Sequence, residues 1–353
     1  MGSMVTTDPT VDVIVPLHTT DRAVDVAVSS AQAAHQGIAT RVLVVLHDIA
    51  PADRSKIQIE SPAVVLHCDD GLRSPSGPRN VGLDAATAPF VFFLDSDDRL
   101  AKNCLGLLHE VAAKTDADVV LPSLRIGARY VGTPLAWSRR PRRLEVVNHD
   151  LFLRSHVPAL LRRTMLERTG VRYPLGIRTG EDFAVMARLL AFEPAALALD
   201  AVYEVLDDAA DRASSPLPAH EQLAALRMVL SAGWMDALPE DARELLVRRI
   251  LSVGVAGAWR RAEASAVDRS SEEHAAVRDA ALERCPSAHR LLSVRDRVSL
   301  RFSEEPGRIE RLLRSAPLGL VPSSFRGAGP RGPLVREARS WVVRHRRRRI
   351  GAT

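Results

Sequence analysis

A chain of 353 residues has room for one large domain or two ordinary ones. Its 46% hydrophobic and 26% charged residues are those of a globular protein in water. No apolar run nears the roughly 18 residues of a membrane span, and the start, MGSMVTTDPT, lacks the charged and apolar regions of a signal peptide. The expectation is therefore a cytoplasmic chain. The net charge of +5 is unevenly placed: residues 323–353 hold nine Arg and one Glu, which leaves the remainder mildly acidic. Cys68, Cys104 and Cys285 stand far apart without CxxC spacing, so the sequence indicates neither a zinc motif nor a disulfide framework. Isolated buried thiols are expected instead.

In chain order, VDVIVP (11–16) reads as a strand and DRAVDVAVSSAQAAHQ as a helix. RVLVVLH (41–47) and AVVLHC (63–68) are further strands. GPRNVGLDAAT opens a helix with Pro78 near its first turn. FVFFLD (90–95) is the fourth strand, CLGLLHEVAAK a helix, and ADVVLPS (117–123) another strand. Unbroken Val/Ile/Leu runs suit parallel strands covered on both faces. The pattern predicts an α/β fold: an open, mostly parallel, Rossmann-like sheet. Beyond about Leu206 the texture changes to Ala/Leu/Arg/Glu-rich stretches with apolar residues at helical spacing. The predicted organisation is an α/β domain over 11–215, a helical C-terminal module over 216–318, and a Pro/Gly linker with a basic tail over 319–353.

Three acids, Asp95, Asp97 and Asp98, leave the apolar run FVFFL directly. In open α/β sheets ligands bind at the carboxyl ends of strands. Carboxylates one residue apart on a tight turn suit a hard divalent cation whose remaining positions go to water and phosphate oxygens. Taken alone, a DxD is more often a solvated acidic turn; its place after a buried strand favours the metal. Upstream, Arg79 and Asn80 sit at a helix start, where amides and the dipole favour an anion. The alternative for Arg79 is an ion pair with Asp69, Asp70 or Asp95, compatible with that role. In YPLGIRTGEDF, Glu181 and Asp182 open another helix, where acids are common because they oppose the dipole. Paired with a metal site, Asp182 becomes a candidate general base.

VDVIVP, GPRNVGLDAATAPFVFFLDSDDRL and LLRRTMLERTGVRYPLGIRTGEDF resemble, in order and spacing, the family 2 inverting glycosyltransferases of GT-A fold, over roughly residues 11–215. A looser likeness is to bacterial teichoic-acid and other cell-envelope glycosyltransferases. The resemblance implies a nucleoside diphosphate sugar donor, commonly a UDP-sugar, bound with Mg²⁺ or Mn²⁺. It implies an acceptor hydroxyl on an envelope polymer, glycan or lipid-linked molecule. Asp97 and Asp95 match the metal-binding DxD, with Asp95 also near the donor ribose. Asp182 matches the base and Glu181 its neighbour. Pro16 and His18 match the loop lining the nucleotide base, and Arg79 a donor-site arginine beside Asn80. Arg212 and Ser214 match a later loop near the diphosphate. His220 is weighed as an extra metal ligand against a surface histidine, with the surface reading favoured. The family's paired acids after the second strand are replaced here by Leu46 and His47, with Asp48 the nearest acid.

Two other classes stay open on sequence: a nucleotidyltransferase, whose Gly-rich phosphate loop is missing from PLHTTDRAVD, and a catalytically silent scaffold of the same fold. The arginine-rich tail is weighed as a peripheral contact with an anionic membrane's inner face and, equally, as a disordered solvated segment. Nucleic acid is the less favoured partner, because no recognised module accompanies the basic patch. Oligomerisation is left open.

Overall fold

The computed structural model describes residues 8–300 apart from 22–23, 36, 132–142, 154–157, 207–216 and 266–270. The strands are β1 (Val11–Leu17), β2 (Thr40–His47), β3 (Val64–Cys68), β4 (Phe90–Phe93), β5 (Arg99–Leu100), β6 (Val119–Ile126), β7 (Arg129–Val131), β8 (Arg143–Leu144), β9 (Leu160–Arg162) and β10 (Ala195–Val205). The helices among them are α1 (Val24–Ala33), α2 (Ser76–Ala85), α3 (Cys104–Thr115), α4 (Val146–His149), α5 (Arg163–Thr169) and α6 (Glu181–Phe192). All the strands join one sheet with a main path β3-β2-β1-β4-β9-β6-β10-β5; β7 adds to β6 and β8 to β10.

The long pairings β2–β3, β1–β2, β1–β4 and β6–β10 are parallel, as the unbroken apolar runs predict. Antiparallel pairing comes from the short strands β5, β7, β8 and β9. β9 is a three-residue strand inserted between β4 and β6, so the sheet is an open α/β sheet with one reversed strand at its centre. Apolar clusters cover both faces: Val13, Val15, Phe92 and Leu105 belong to one, Ile14, Val91, Phe93 and Leu189 to the other. Successive residues of β1 thus serve opposite faces, which requires apolar side chains throughout.

The exception within β1 is Asp12, fully buried. It accepts hydrogen bonds from Arg41 Nε (2.7 Å) and from the Thr87 and Ala88 amides (2.7 and 2.8 Å). A buried carboxylate needs that full set of donors, and here it fixes the entry into β4. Helix α2 lies close to the sheet because residue 82 is glycine: a Cβ there would stand 2.4 Å from Ile14 Cγ2.

The C-terminal part is helical: α7 (Ala219–Ser231), α8 (Glu240–Arg249), a π-helical segment Ile250–Val255, α9 (Ala256–Ser265), α10 (Ser271–Arg284) and α11 (Val294–Leu300). Its core includes Phe183 and Ala187 of α6, while Val185, Met186 and Leu189 of the same helix face the sheet. Helix α6 is therefore sandwiched between the two layers. A part-buried ion pair of Asp150 with Arg248 (2.6 Å) also joins the two parts. No helix among the described residues is long and apolar enough to cross a membrane.

Candidate active site

The parallel strands β1, β2, β3 and β4 end on one edge of the sheet, and most of the sequence-predicted residues gather there. Pro16 lies in register with Val45 one residue before β1 ends, and His18 follows that strand. Asp48 follows β2 in a left-handed conformation (φ 51°), and its carboxylate accepts from the Gly71 amide at 3.1 Å. Asp95 to Asp98 form the turn after β4, closed by the Asp98 amide donating to the Asp95 carbonyl at 3.0 Å.

The three acids have different surroundings. Asp98 is buried; Tyr203 donates its hydroxyl to Asp98 Oδ2 at 2.7 Å and the Leu206 amide donates to Oδ1 at 3.1 Å. Burial, with Asp95 adding repulsion, pushes the Asp98 carboxyl up to about 7. Tyr203 Oη also accepts from the Asp95 amide at 3.2 Å, so one buried phenol holds both ends of the turn. Asp95 is half-buried and accepts from Arg79 Nη2 at 2.9 Å. Asp97 is half-buried at the crest.

Arg79 connects this turn to α6. Its Nη1 donates to Glu181, and the guanidinium lies 5.2 Å from the Tyr173 ring centroid. Burial alone would lower the Arg79 pKa, but Asp95 and Glu181, with Tyr173 and Asp182 also in reach, raise it well above the ordinary value. Burial pushes the Glu181 carboxyl up against the pull of Arg79. The alternative weighed for Arg79 is thus met by Asp95; Asp69 pairs with Arg54 at 3.0 Å and Asp70 with His47 at 2.9 Å.

Asn80 takes up both ends of its amide on Tyr173, donating to the carbonyl (2.8 Å) and accepting from the amide (2.9 Å). It thereby orients the ring that covers Arg79 and meets Phe93 edge-on at 5.0 Å. Ser74 Oγ donates to the Ile177 carbonyl at 2.5 Å, and Arg178 pairs with Glu221 of α7 at 2.7 Å. These contacts fix the loop that delivers Glu181 and Asp182 in the first turn of α6, where Asp182 Oδ1 accepts from the Phe183 amide at 2.7 Å.

Sequence reasoning missed the roles of Tyr173, Tyr203, Ser74 and the His47–Asp70 pair. Their partners are distant in sequence, and no local spacing announces them. His220 lies in the first turn of α7 with its side chain 60% exposed, consistent with the surface reading. Arg212 and Ser214 lie outside the described residues, as does the basic tail.

Acids at the carboxyl edge of a parallel sheet, tied by one arginine to a second acidic helix start, place the candidate site where open α/β sheets bind their ligands. Residues 43–170 match the family model described as Glycosyl transferase family 2, which bears out the resemblance read from the sequence. The poly(ribitol-phosphate) β-N-acetylglucosaminyltransferase TarP of Staphylococcus aureus is 24% identical over 109 residues, 30% of this chain and 33% of that protein. The succinoglycan biosynthesis protein ExoO of Rhizobium meliloti is 28% identical over 171 residues, 45% of this chain and 49% of that one. The chain thus spans between a third and a half of the length of these relatives. In structure it is similar to S. aureus TarS residues 1–349 in complex with UDP-GlcNAc, with TM-score 0.63 and 17% identity over 85% of this chain and 91% of that one. A longer TarS structure matches with TM-score 0.64 and 16% identity, over 87% of this chain and 55% of that one. At that identity the likeness concerns the fold, and it supports GT-A.

Proposed function

We propose that the protein is a metal-dependent inverting glycosyltransferase that moves a sugar from a nucleoside diphosphate sugar, a UDP-sugar by preference, to a hydroxyl of a cell-envelope polymer or glycan. The observation carrying this reading is Arg79, which holds Asp95 of the acidic turn and Glu181 beside Asp182 on one guanidinium. The turn and the helix start are thereby fixed as one unit. The UDP-GlcNAc of the TarS complex and the polymer named for TarP support the donor and acceptor classes.

The acidic turn fits a divalent cation by its donors: Asp95 and Asp97 offer an all-oxygen set at a strand end, the chemistry Mg²⁺ and Mn²⁺ select. When bound, such an ion offsets the charge that builds on the leaving diphosphate. Arg79 adds fixed positive charge on the same side. Pro16, His18 and Asp48 line the neighbouring strand ends as the donor's base and ribose side. Asp182 takes the proton from the acceptor hydroxyl as its oxygen attacks the anomeric carbon. A single displacement inverts the anomeric configuration and needs no protein nucleophile. Glu181 and Asn80 act as positioning residues, the first on Arg79 and the second on Tyr173. The catalytic domain over 11–215 would carry this chemistry, with the helical module bracing α6. The basic tail would supply any peripheral membrane contact.

The test is transfer from UDP-sugars in Mn²⁺ with the product's anomeric configuration read by NMR. Inversion that needs metal supports the reading; a retained configuration contradicts it.

A further inference from the structure

His47, Cys68 and Asp70 are scattered in the sequence, yet β2 and β3 run parallel with His47 in register with Cys68. The pairing brings all three to one corner at the ends of the two strands. His47 Nε2 lies 2.9 Å from Asp70 Oδ1 and 3.3 Å from Asp48 Oδ2. Cys68 Sγ lies 3.6 Å from Asp70 Oδ2. One nitrogen, one sulfur and one oxygen, from His47, Cys68 and Asp70, all fall within 4.8 Å of one another. A tetrahedral shell with bonds of about 2.0–2.3 Å places its ligand atoms roughly 3.3–3.8 Å apart, close to this spread.

The charges favour a cation. Asp48 and Asp70 both face a single imidazole nitrogen, which carries at most one proton and can serve both acids only by sharing it. The thiol beside them adds a third negative charge once deprotonated. The carboxylates are also held from behind: the Leu72 amide donates to Asp70 Oδ1 at 2.9 Å and the Gly71 amide to Asp48 Oδ1 at 3.1 Å. Such outer contacts orient metal ligands. Asp70 reaches its place only because residue 77 is glycine, where a Cβ would stand 1.9 Å from Oδ2.

We propose that His47, Cys68 and Asp70 bind one zinc-type divalent ion, with Asp48 or water in the fourth position. A mixed sulfur, nitrogen and oxygen set selects a late first-row ion over Mg²⁺, which distinguishes it from the all-oxygen turn after β4. On binding, the Cys68 thiol gives its proton to solvent and a metal–sulfur bond forms. The ion would tie the end of β2 to the end of β3. The three ligands His47, Cys68 and Asp70 lie outside the residues given to the donor and the acceptor, and only Asp48 is shared with the donor side.

The experiment is a Co²⁺ titration of the full chain after treatment with a chelator, followed by absorbance. The expected result is a sulfur-to-cobalt charge-transfer band in the near ultraviolet that saturates at one equivalent and is bleached by Zn²⁺. It persists in Asp97→Asn, weakens roughly tenfold or more in affinity in Asp70→Asn, and vanishes in Cys68→Ser. No such band at saturating Co²⁺, or a band that survives Cys68→Ser, overturns the proposal. Should Cys68→Ser not fold, alkylation of the native chain decides, over a time in which metal-free Cys68 is labelled: Zn²⁺ protection of Cys68 supports the site, and an unchanged labelling rate with Zn²⁺ refutes it.

Discussion

Arg79 is 7% exposed and Glu181 5%, so their pair is held out of water. Removing one member of a buried pair strands the other charge, at about 3–5 kcal/mol. Arg79→Ala should therefore lower unfolding free energy by about that much in urea, and a loss under about 1 kcal/mol would contradict the buried-pair account. Asp182 plays a different part: Asp182→Asn should cut turnover roughly 100-fold or more while nucleotide affinity is kept. A variant that loses affinity and keeps turnover would remove Asp182 from the base role. These residues were legible in the sequence because each stands where a local pattern changes. Asp95 and Asp97 leave an apolar strand, and Arg79 and Asp182 open helices. Asp98 was legible only as an acid, because its partner Tyr203 lies 105 positions later and nothing near either residue announces the contact.

At the scale of elements, α3 packs on the sheet with His109 edge-on to Phe90, ring centroids 5.4 Å apart. Burial, and then the charge of Arg162, lower the His109 pKa. The unfolded chain therefore binds more protons than the folded one between the lowered value and the ordinary one near 6.5. The contribution to stability is full above that ordinary value and is lost as pH falls through the window. Thermal unfolding of His109→Gln against the native chain should show the native chain losing ground as pH drops below about 6.5; a difference independent of pH would contradict it. At α2, Gly82→Ala should cost about 1–3 kcal/mol, since the new methyl meets Ile14. An unchanged denaturation midpoint would show that the helix shifts freely. The parallel strands were legible as unbroken apolar runs. β9 escaped because three residues carry no period, and β10, AALALDAVYEV, because its alanines mask an eleven-residue strand.

At the scale of the whole molecule, the helical module was legible in outline from composition and spacing, but its attachment was not. Phe183 and Ala187 look in sequence like the rest of α6's apolar face, yet they pack on the module rather than on the sheet. The helix that presents Glu181 and Asp182 is thus packed from both sides, by the sheet and by the module. The central claim is that the edge formed by β1, β2 and β4 binds a nucleoside diphosphate through the acidic turn. The most direct measurement is a thermal shift of the full chain with UDP, GDP, dTDP and CDP, each with and without Mn²⁺. A ligand at a hundred times its dissociation constant adds about 2.7 kcal/mol, a readable rise. The account predicts a rise for UDP above the other nucleotides that requires Mn²⁺ and is lost in Asp97→Asn. No rise for any nucleotide with metal present would contradict it and favour a silent scaffold of the same fold.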